Sequence, residues 1–355
     1  MIAIAAAALL QAATPSSDAA ALVSGGAPGA VVMVVDNGEP VIAVAGMRAE
    51  AGDTPVELTD LWHLGSNTKA MTAVLVARLV EQGVIDWEDT IAEHLGDRVE
   101  TIRPQYAGAT FVDLMQHRSG IVANPGPVTA LQLMGTDDDR DVMADRVVYA
   151  AAVLGRNPGA EPGTFLYSNA GYTVAGAMLE AATGESWEAL VQREVFAPLG
   201  IEQAGFGPPG VAGEADQPRG HRGGLFGGIS AVEPGASADN PPAMGPAGRV
   251  HMAMPDYAVW LNAVMAGARG EGDTDFLSAE SWQILLTPPE GESYAMGWGI
   301  GSDGSLQHAG SNTMWFVQAA LWPEADRAAV AGVNEARMSR VAAPVGEIMM
   351  RYAPE

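Results

Sequence analysis

Cysteine is absent from the 355 residues, which removes disulfides, a thiol nucleophile, thiolate metal sites and a cysteine-borne lipid anchor. Lysine is almost absent. Of the 18 basic residues all but Lys69 are arginine, and a chain that meets nearly every need for a cation with guanidinium keeps its single ammonium where a proton has to be given up. Positive charge as a whole is scarce. The 43 acids leave a formal net charge of −25, and a surface of that sign repels phosphate backbones and anionic lipid, which argues against nucleic-acid and membrane-surface partners. No repeat period of a solenoid or propeller recurs. Long apolar runs are missing too. The N-terminal run Ile2–Leu10 is too short to span a bilayer. Followed by the small residues of Gln11-Ala12-Ala13-Thr14-Pro15, it reads as a signal peptide, although no Lys or Arg precedes it. Residues 1–20 are therefore expected to be a signal peptide and short leader, cut near Ala12 or Ala13. The product would be periplasmic or secreted, with no stable membrane insertion after signal removal. An N-terminal helix packed on the body is the alternative.

What is present is apolar and rich in turns. At 48% hydrophobic and 17% charged residues the chain can bury a sizeable core, and its 43 glycines and 23 prolines are scattered among the apolar stretches. Ala30–Val35 and Pro40–Gly46 flank Asp36-Asn37-Gly38 and predict two strands joined by a tight turn. Met71, Val74, Leu75, Leu79 and Val80 recur at helical spacing over Ser66–Gln82, with Gly83 at the stop. Helical patterns follow over Thr110–His117, Asp141–Leu154, Gly171–Ala182 and Trp187–Phe196. Gly205–Gly248 carries little periodicity and reads as a long irregular excursion. Helix resumes over Tyr257–Met265, strand patterns over Tyr294–Ile300, Met314–Leu321 and Ala328–Val333, and a last helix over Val341–Arg351. Strands at both ends with helices between them predict one antiparallel sheet assembled from the two termini (about 21–82 and 285–355) around a helical subdomain (about 83–284).

Three short segments carry chemistry. Ser66-Asn67-Thr68-Lys69 places a serine and the lone lysine three apart at a helix start, on one face. The helix dipole there favours developing negative charge, and burial lowers a lysine's pKa toward neutrality. In Tyr167-Ser168-Asn169 a phenol near two cationic centres is expected to lose its proton below its usual range and act as general base, while the Asn169 amide can hold a substrate carbonyl and the lysine. In Gln307-His308-Ala309-Gly310-Ser311, Gly310 would admit a substrate close to the backbone, and the Ser311 N–H would join that of Ser66 as an oxyanion hole. His63, His94, His117, His221 and His251 show no mutual i, i+3 or i, i+4 pairing, so no metal centre is expected. Trp62, Trp298 and Trp315 are read as core.

Taken in this order, Ser66-x-x-Lys69, Tyr167-Ser168-Asn169 and His308-Ala309-Gly310 resemble the three motifs of the serine beta-lactamase and penicillin-binding-protein superfamily: class C beta-lactamases, D-alanyl-D-alanine carboxypeptidases and related esterases. Leu114–Ile121, Phe196–Ile201 and Gly245–Gly248 are similar to further segments of that family. The resemblance implies a beta-lactamase/transpeptidase-like fold of α+β type, an antiparallel sheet flanked by helices. It implies no cofactor and no metal. His308 and Ala309 depart from the Lys-Thr-Gly usual in lactamases: neutral imidazole is a weaker anion partner than ammonium, and alanine has no hydroxyl. Arg249 is the candidate replacement cation. Histidine at that place is similar to some carboxypeptidases, D-aminopeptidases and esterases.

These residues predict a serine hydrolase that forms an acyl-enzyme on Ser66, with Lys69 and Tyr167 handling the proton and His308 supporting the tyrosine or the leaving group. Asn169, Ala309, Gly310 and Ser311 would bind substrate. Small amides and esters, including D-amino-acid peptides, rank above beta-lactams as substrates. The alternative is a penicillin-binding or sensing protein that acylates slowly without significant turnover.

Overall fold

A computed structural model describes residues 14–224, 228–271 and 275–355; the signal-peptide expectation for residues 1–13 lies outside them. Eleven strands are described: β1 (Gly29–Asp36), β2 (Glu39–Gly46), β3 (Leu61–His63), β4 (Ala204–Phe206), β5 (Gly220–Gly223), β6 (Ile229–Val232), β7 (Val250–Ala253), β8 (Gly299–Ile300), β9 (Leu306–Ser311), β10 (Phe316–Trp322) and β11 (Arg327–Val333). The main sheet is antiparallel in the order β2-β1-β11-β10-β9-β8. Its N-terminal hairpin turns at Asn37 (φ 50°) and Gly38 (φ 80°), the doubly left-handed turn that Asn-Gly predicts.

The sheet is covered on both faces, which explains why its central strands read as almost unbroken apolar runs. On β1, Val31, Met33 and Val35 enter the large core that surrounds helix α2 (Thr68–Glu81), whereas Ala30 and Val32 enter a second core. That second core is completed by Ala19 and Leu22 of helix α1 (Pro15–Ser24) and by Val341, Val345, Ile348 and Met349 of the last helix, Met338–Tyr352. β10 and β11 divide their side chains the same way.

Helix α1 moves the start of the folded body to an earlier residue than the leader boundary at 20 allows. Thr14 caps it reciprocally with Ser17, Ala19 is fully buried, and buried Asp18 accepts from the Tyr352 hydroxyl at 2.7 Å and pairs with Arg351. Residues 15–20 thus belong to the body. Among the described residues no helix is long and apolar enough to cross a membrane.

Helix α2 runs through the middle of the molecule, buried on nearly every side from Thr68 to Leu79. The helices Val142–Leu154 and Asn169–Thr183 lie beyond it. The described residues of the excursion 205–248 are more ordered than their composition suggests: they hold the β5–β6 pair and return through a helical turn, Gly245–Gly248, packed on α2. The strand expected over 294–300 is reduced to Gly299–Ile300. Gly297, at φ 88°, turns the chain just before it, and a Cβ there would sit 2.5 Å from the Ala70 Cα. Gly297 thus packs against Ala70 of α2, and the chain joins the sheet only at β8.

Candidate active site

The backbone enters α2 through a tight turn. Gly65 takes φ +52° and opens a 3-10 turn, Gly65–Asn67. The Asn67 amide donates to Leu64 O (2.8 Å) and Val317 O (3.3 Å), and the Thr68 hydroxyl donates to Gly65 O (2.7 Å). Ser66 is thereby held at the head of the helix, with Lys69 one turn on. The Lys69 Nζ lies 3.1 Å from Ser66 Oγ, 2.8 Å from Asn169 Oδ1 and 2.6 Å from Ala247 O. Lys69 is fully buried, and burial, with no carboxylate among these partners, holds its amine well below the usual lysine range. A neutral amine has two hydrogens and one lone pair. Asn169 Oδ1 and Ala247 O can only accept, so the lone pair is left facing the Ser66 hydroxyl, the one partner that can donate.

Asn169 is the first residue of the helix Asn169–Thr183, capped by Ser168, whose hydroxyl accepts from Gly171 N at 2.9 Å. The ring of Tyr167 lies beside Lys69, with Nζ 4.9 Å from its centroid. Its phenol differs from the expectation. Burial pushes it up to about 12, with a hydrogen bond to Ser66 pulling the other way. The amine that was to acidify it is itself held well below the usual lysine range by burial.

On β9, His308 and Gly310 are buried, Ala309 is exposed and Ser311 borders the cleft. Gly310 gives its space to the protein's own backbone and not to a substrate: a Cβ there would lie 1.9 Å from Leu64 O and 2.8 Å from Ser66 N. A Cβ on Gly65 would lie 2.3 Å from Ser311 N. The backbone nitrogens of Ser66 and Ser311 are therefore brought side by side. The Ser311 hydroxyl accepts from Thr313 N (3.0 Å). The His308 ring lies 6.3 Å from that of Tyr167, centre to centre, but its hydrogen bonds go elsewhere: Nδ1 lies 3.0 Å from Ala309 O and Nε2 lies 3.1 Å from the Tyr294 hydroxyl. With Nδ1–H donating to that carbonyl, Nε2 accepts from Tyr294. Burial pushes the imidazole down to about 3, so it is neutral and carries no charge for an anion.

A family model, Beta-lactamase, matches residues 9–344. The chain belongs to the beta-lactamase family. Among curated proteins it is 27% identical over 254 residues to an unguisins hydrolase of Aspergillus violaceofuscus (67% of this chain, 42% of that protein), and 29% identical over 178 residues to penicillin-binding protein 4 of Amycolatopsis lactamdurans (50% and 44%). The matches span less than half the length of these relatives. Among solved structures it is similar to the D-amino acid amidase of Ochrobactrum anthropi (TM-score 0.74, 18% identity, 94% of this chain and 97% of that one). It is also similar to a class C beta-lactamase of Rhodobacter sphaeroides (0.69, 21%, 94% and 99%). These two likenesses show the fold.

Within this beta-lactamase fold, Arg249 does not replace the missing cation of the third motif. Almost wholly buried, it forks onto both oxygens of Asp137 (2.6 and 3.0 Å) and donates Nε to Asp239 Oδ2 (3.3 Å). The cleft at Ser66, about 30 Å³, is lined by Ser66, Asn169, Asn240, Met244, Ala247, Gly248 and Ser311, none of them charged. Ala309 does not line it.

Two residues outside the three motifs border these groups. His117, at φ +60°, accepts the Ser168 N–H on Nδ1 (3.0 Å) and lies 4.4 Å from Tyr167 and 4.9 Å from Tyr294, ring centre to ring centre. Tyr294 joins that aromatic wall to His308. The left-handed backbone of His117, within His117-Arg118-Ser119-Gly120, gave no cue in the sequence, whereas Tyr294 was absorbed into an expected strand. Trp62 and Trp315 pack edge to face at 5.7 Å in the core, and Trp298 is buried.

Proposed function

We propose that the protein is a serine hydrolase that cleaves small, uncharged amides and esters, including D-amino-acid derivatives, through an acyl-enzyme on Ser66. The observation that carries this reading is the fully buried Lys69 Nζ 3.1 Å from the Ser66 hydroxyl, in surroundings that hold the amine well below the usual lysine range. Lys69 takes the serine proton as Oγ adds to the carbonyl. The N–H groups of Ser66 and Ser311 receive the oxyanion. Lys69, with the protonated Tyr167 beside it, returns the proton to the departing amine or alcohol, and a water then repeats the sequence on the ester. His308 supports this indirectly: by fixing Tyr294 it holds the wall against which Tyr167 and His117 lie.

No charged side chain lines the small pocket at Ser66 and Arg249 is committed elsewhere, which favours neutral substrates, and the relation to an unguisins hydrolase agrees with hydrolysis. The test is time-resolved mass spectrometry of the intact protein with a nitrophenyl ester and with a fluorescent penicillin. A transient adduct on Ser66 with the ester is expected. A permanent adduct with both would instead identify a penicillin-binding sensor, and no adduct would overturn the acyl-enzyme. Export is part of the proposal: cleavage after Ala12 or Ala13 would leave α1 whole, and an intact Met1 or Ile2 on protein from its own cell would refute it.

A further inference from the structure

A buried carboxylate outside the three motifs ties together the pieces that border Ser66. Asp239 lies in the excursion 205–248, its side chain 2% exposed. Its Oδ2 accepts from His63 Nε2 (2.8 Å) and Arg249 Nε (3.3 Å), and its Oδ1 from Asn312 Nδ2 (3.0 Å) and Asn240 N (2.7 Å). Four donors, one from the neighbouring residue and three from elsewhere in the chain, thus fill the acceptor sites of one carboxylate.

Two of these contacts reach the backbone beside Ser66 and Ser311. Because His63 Nε2–H donates to Asp239, its Nδ1 keeps a lone pair, and that lone pair accepts the Gly65 N–H at 3.2 Å, in the residue whose φ of +52° delivers Ser66. Asn312 follows Ser311 directly. While its amide donates to Asp239, its Oδ1 accepts from Met314 N and Trp315 N, each at 3.1 Å, across Thr313 at φ +74°. Gly65 takes its left-handed turn freely, whereas Thr313, which is not glycine, is unfavourable there unless surrounding bonds hold it. Burial alone would raise the Asp239 carboxyl, yet the His63, Arg249 and Asn312 donors hold it below the usual range. It is therefore an anion and an acceptor in every contact.

We infer that Asp239, acting through His63 and Asn312, is a positioning residue that sets the N–H groups of Ser66 and Ser311 in register as one oxyanion hole. The inference rests on the acyl-enzyme reading above. Loss of one hole donor typically costs 10²–10³ in rate, and a misplaced one less. Asp239→Asn puts an N–H against a donor in either orientation, and His63→Phe keeps a ring while removing both bonds. Each is expected to lower the single-turnover acylation rate constant about 10- to 100-fold with a nitrophenyl ester, leaving the pre-acylation binding constant within about twofold, because the hole is used only as the oxyanion forms. Asp137→Asn breaks only the outer side of Arg249 and is expected to lower Tm without that rate loss.

The wild-type protein is the first arm. If it forms no Ser66 adduct, the acyl-enzyme reading and this inference fall together. If it acylates and a folded His63→Phe or Asp239→Asn acylates within about twofold of it, the inference alone is overturned. A rate loss in Asp137→Asn equal to theirs would likewise overturn it, since it would mark a general effect of stability. Should Asp239→Asn fail to fold, His63→Phe decides.

Discussion

A lysine sealed from water and given no carboxylate becomes neutral far below the pH at which a surface lysine does, so the pH dependence of this site belongs to Lys69. Activity is expected to rise with pH as Lys69 loses its proton and then to stay level, because Tyr167, pushed up to about 12, keeps its own. The acidic limb should survive in His308→Gln, since His308, pushed down to about 3, is already neutral; a kcat/KM profile that lost the limb would assign the ionisation to the imidazole. Lys69→Arg keeps a charge where a lone pair is needed and should cost at least about 10²-fold in kcat/KM, and retention of a tenth of the activity would show that charge suffices. With Arg249 committed to Asp137 and Asp239, esterifying a substrate carboxylate should change kcat/KM by less than tenfold, about 1.4 kcal/mol. A larger loss in wild-type protein would reveal an anion anchor. The motif residues were legible because their chemistry is local: Ser66 and Lys69 share a face at a spacing of three, and Tyr167 and Asn169 share a loop. The Ala247 carbonyl was not, because any residue carries one, and neither was the His63–Asp239 pair, whose members lie 176 positions apart.

Strand β9 meets the turn before α2 backbone to backbone, and that contact depends on a missing side chain. Gly310→Ala would place a carbon 1.9 Å from Leu64 O, so the strand or the Ser66 turn must move. A stability loss of about 1–3 kcal/mol and loss of most of the acylation are expected by urea denaturation and burst kinetics, and a variant that acylates normally would show that the two elements are not in register. Gly346 offers the contrast. It lies within the helix Met338–Tyr352 with nothing within 4 Å of a prospective Cβ, so Gly346→Ala should stabilise by about 0.5–1 kcal/mol, read as a higher urea midpoint. The elements themselves were legible where one rule acted alone. Asn37-Gly38 fixed a hairpin, and Val341, Val345 and Ile348 fixed a helix face. The sequence pattern failed at 294–300, where apolar residues alternate as in a strand while Gly297 and α2 impose a turn, and over 205–248, whose described residues are held by contacts with distant segments, such as β4 with β7 and Asp239 with His63 and Asn312, and not by their own periodicity.

The molecule as a whole buries several histidines that resist protonation. Burial lowers His117, His221, His251 (to about 4) and His308 (to about 3) from their ordinary value of 6.5. Below pH 6.5 the unfolded chain binds protons that the native state refuses, so stability is fully present above that pH and is lost as pH falls toward the folded values, by up to about 1.4 kcal/mol per pH unit for each such proton. The urea midpoint should therefore drop between pH 7 and 5, and His251→Gln, outside the cleft, should make the slope shallower by about one proton; an unchanged slope would mean that His251 is protonated in the native state. A different consequence follows from the place of β1 between β2 and β11. Its anchoring bond, Gly29 N to Asn334 Oδ1, joins residues 305 positions apart, so β1 waits for β11 before the centre of the sheet can close. The sheet then closes only once Val333 has left the ribosome, and slowly, as pairing across so long a loop does. Stalled chains that end before Arg327 should stay protease-sensitive throughout β1, and the emerging polypeptide remains unfolded long enough to be handled by whatever meets it first.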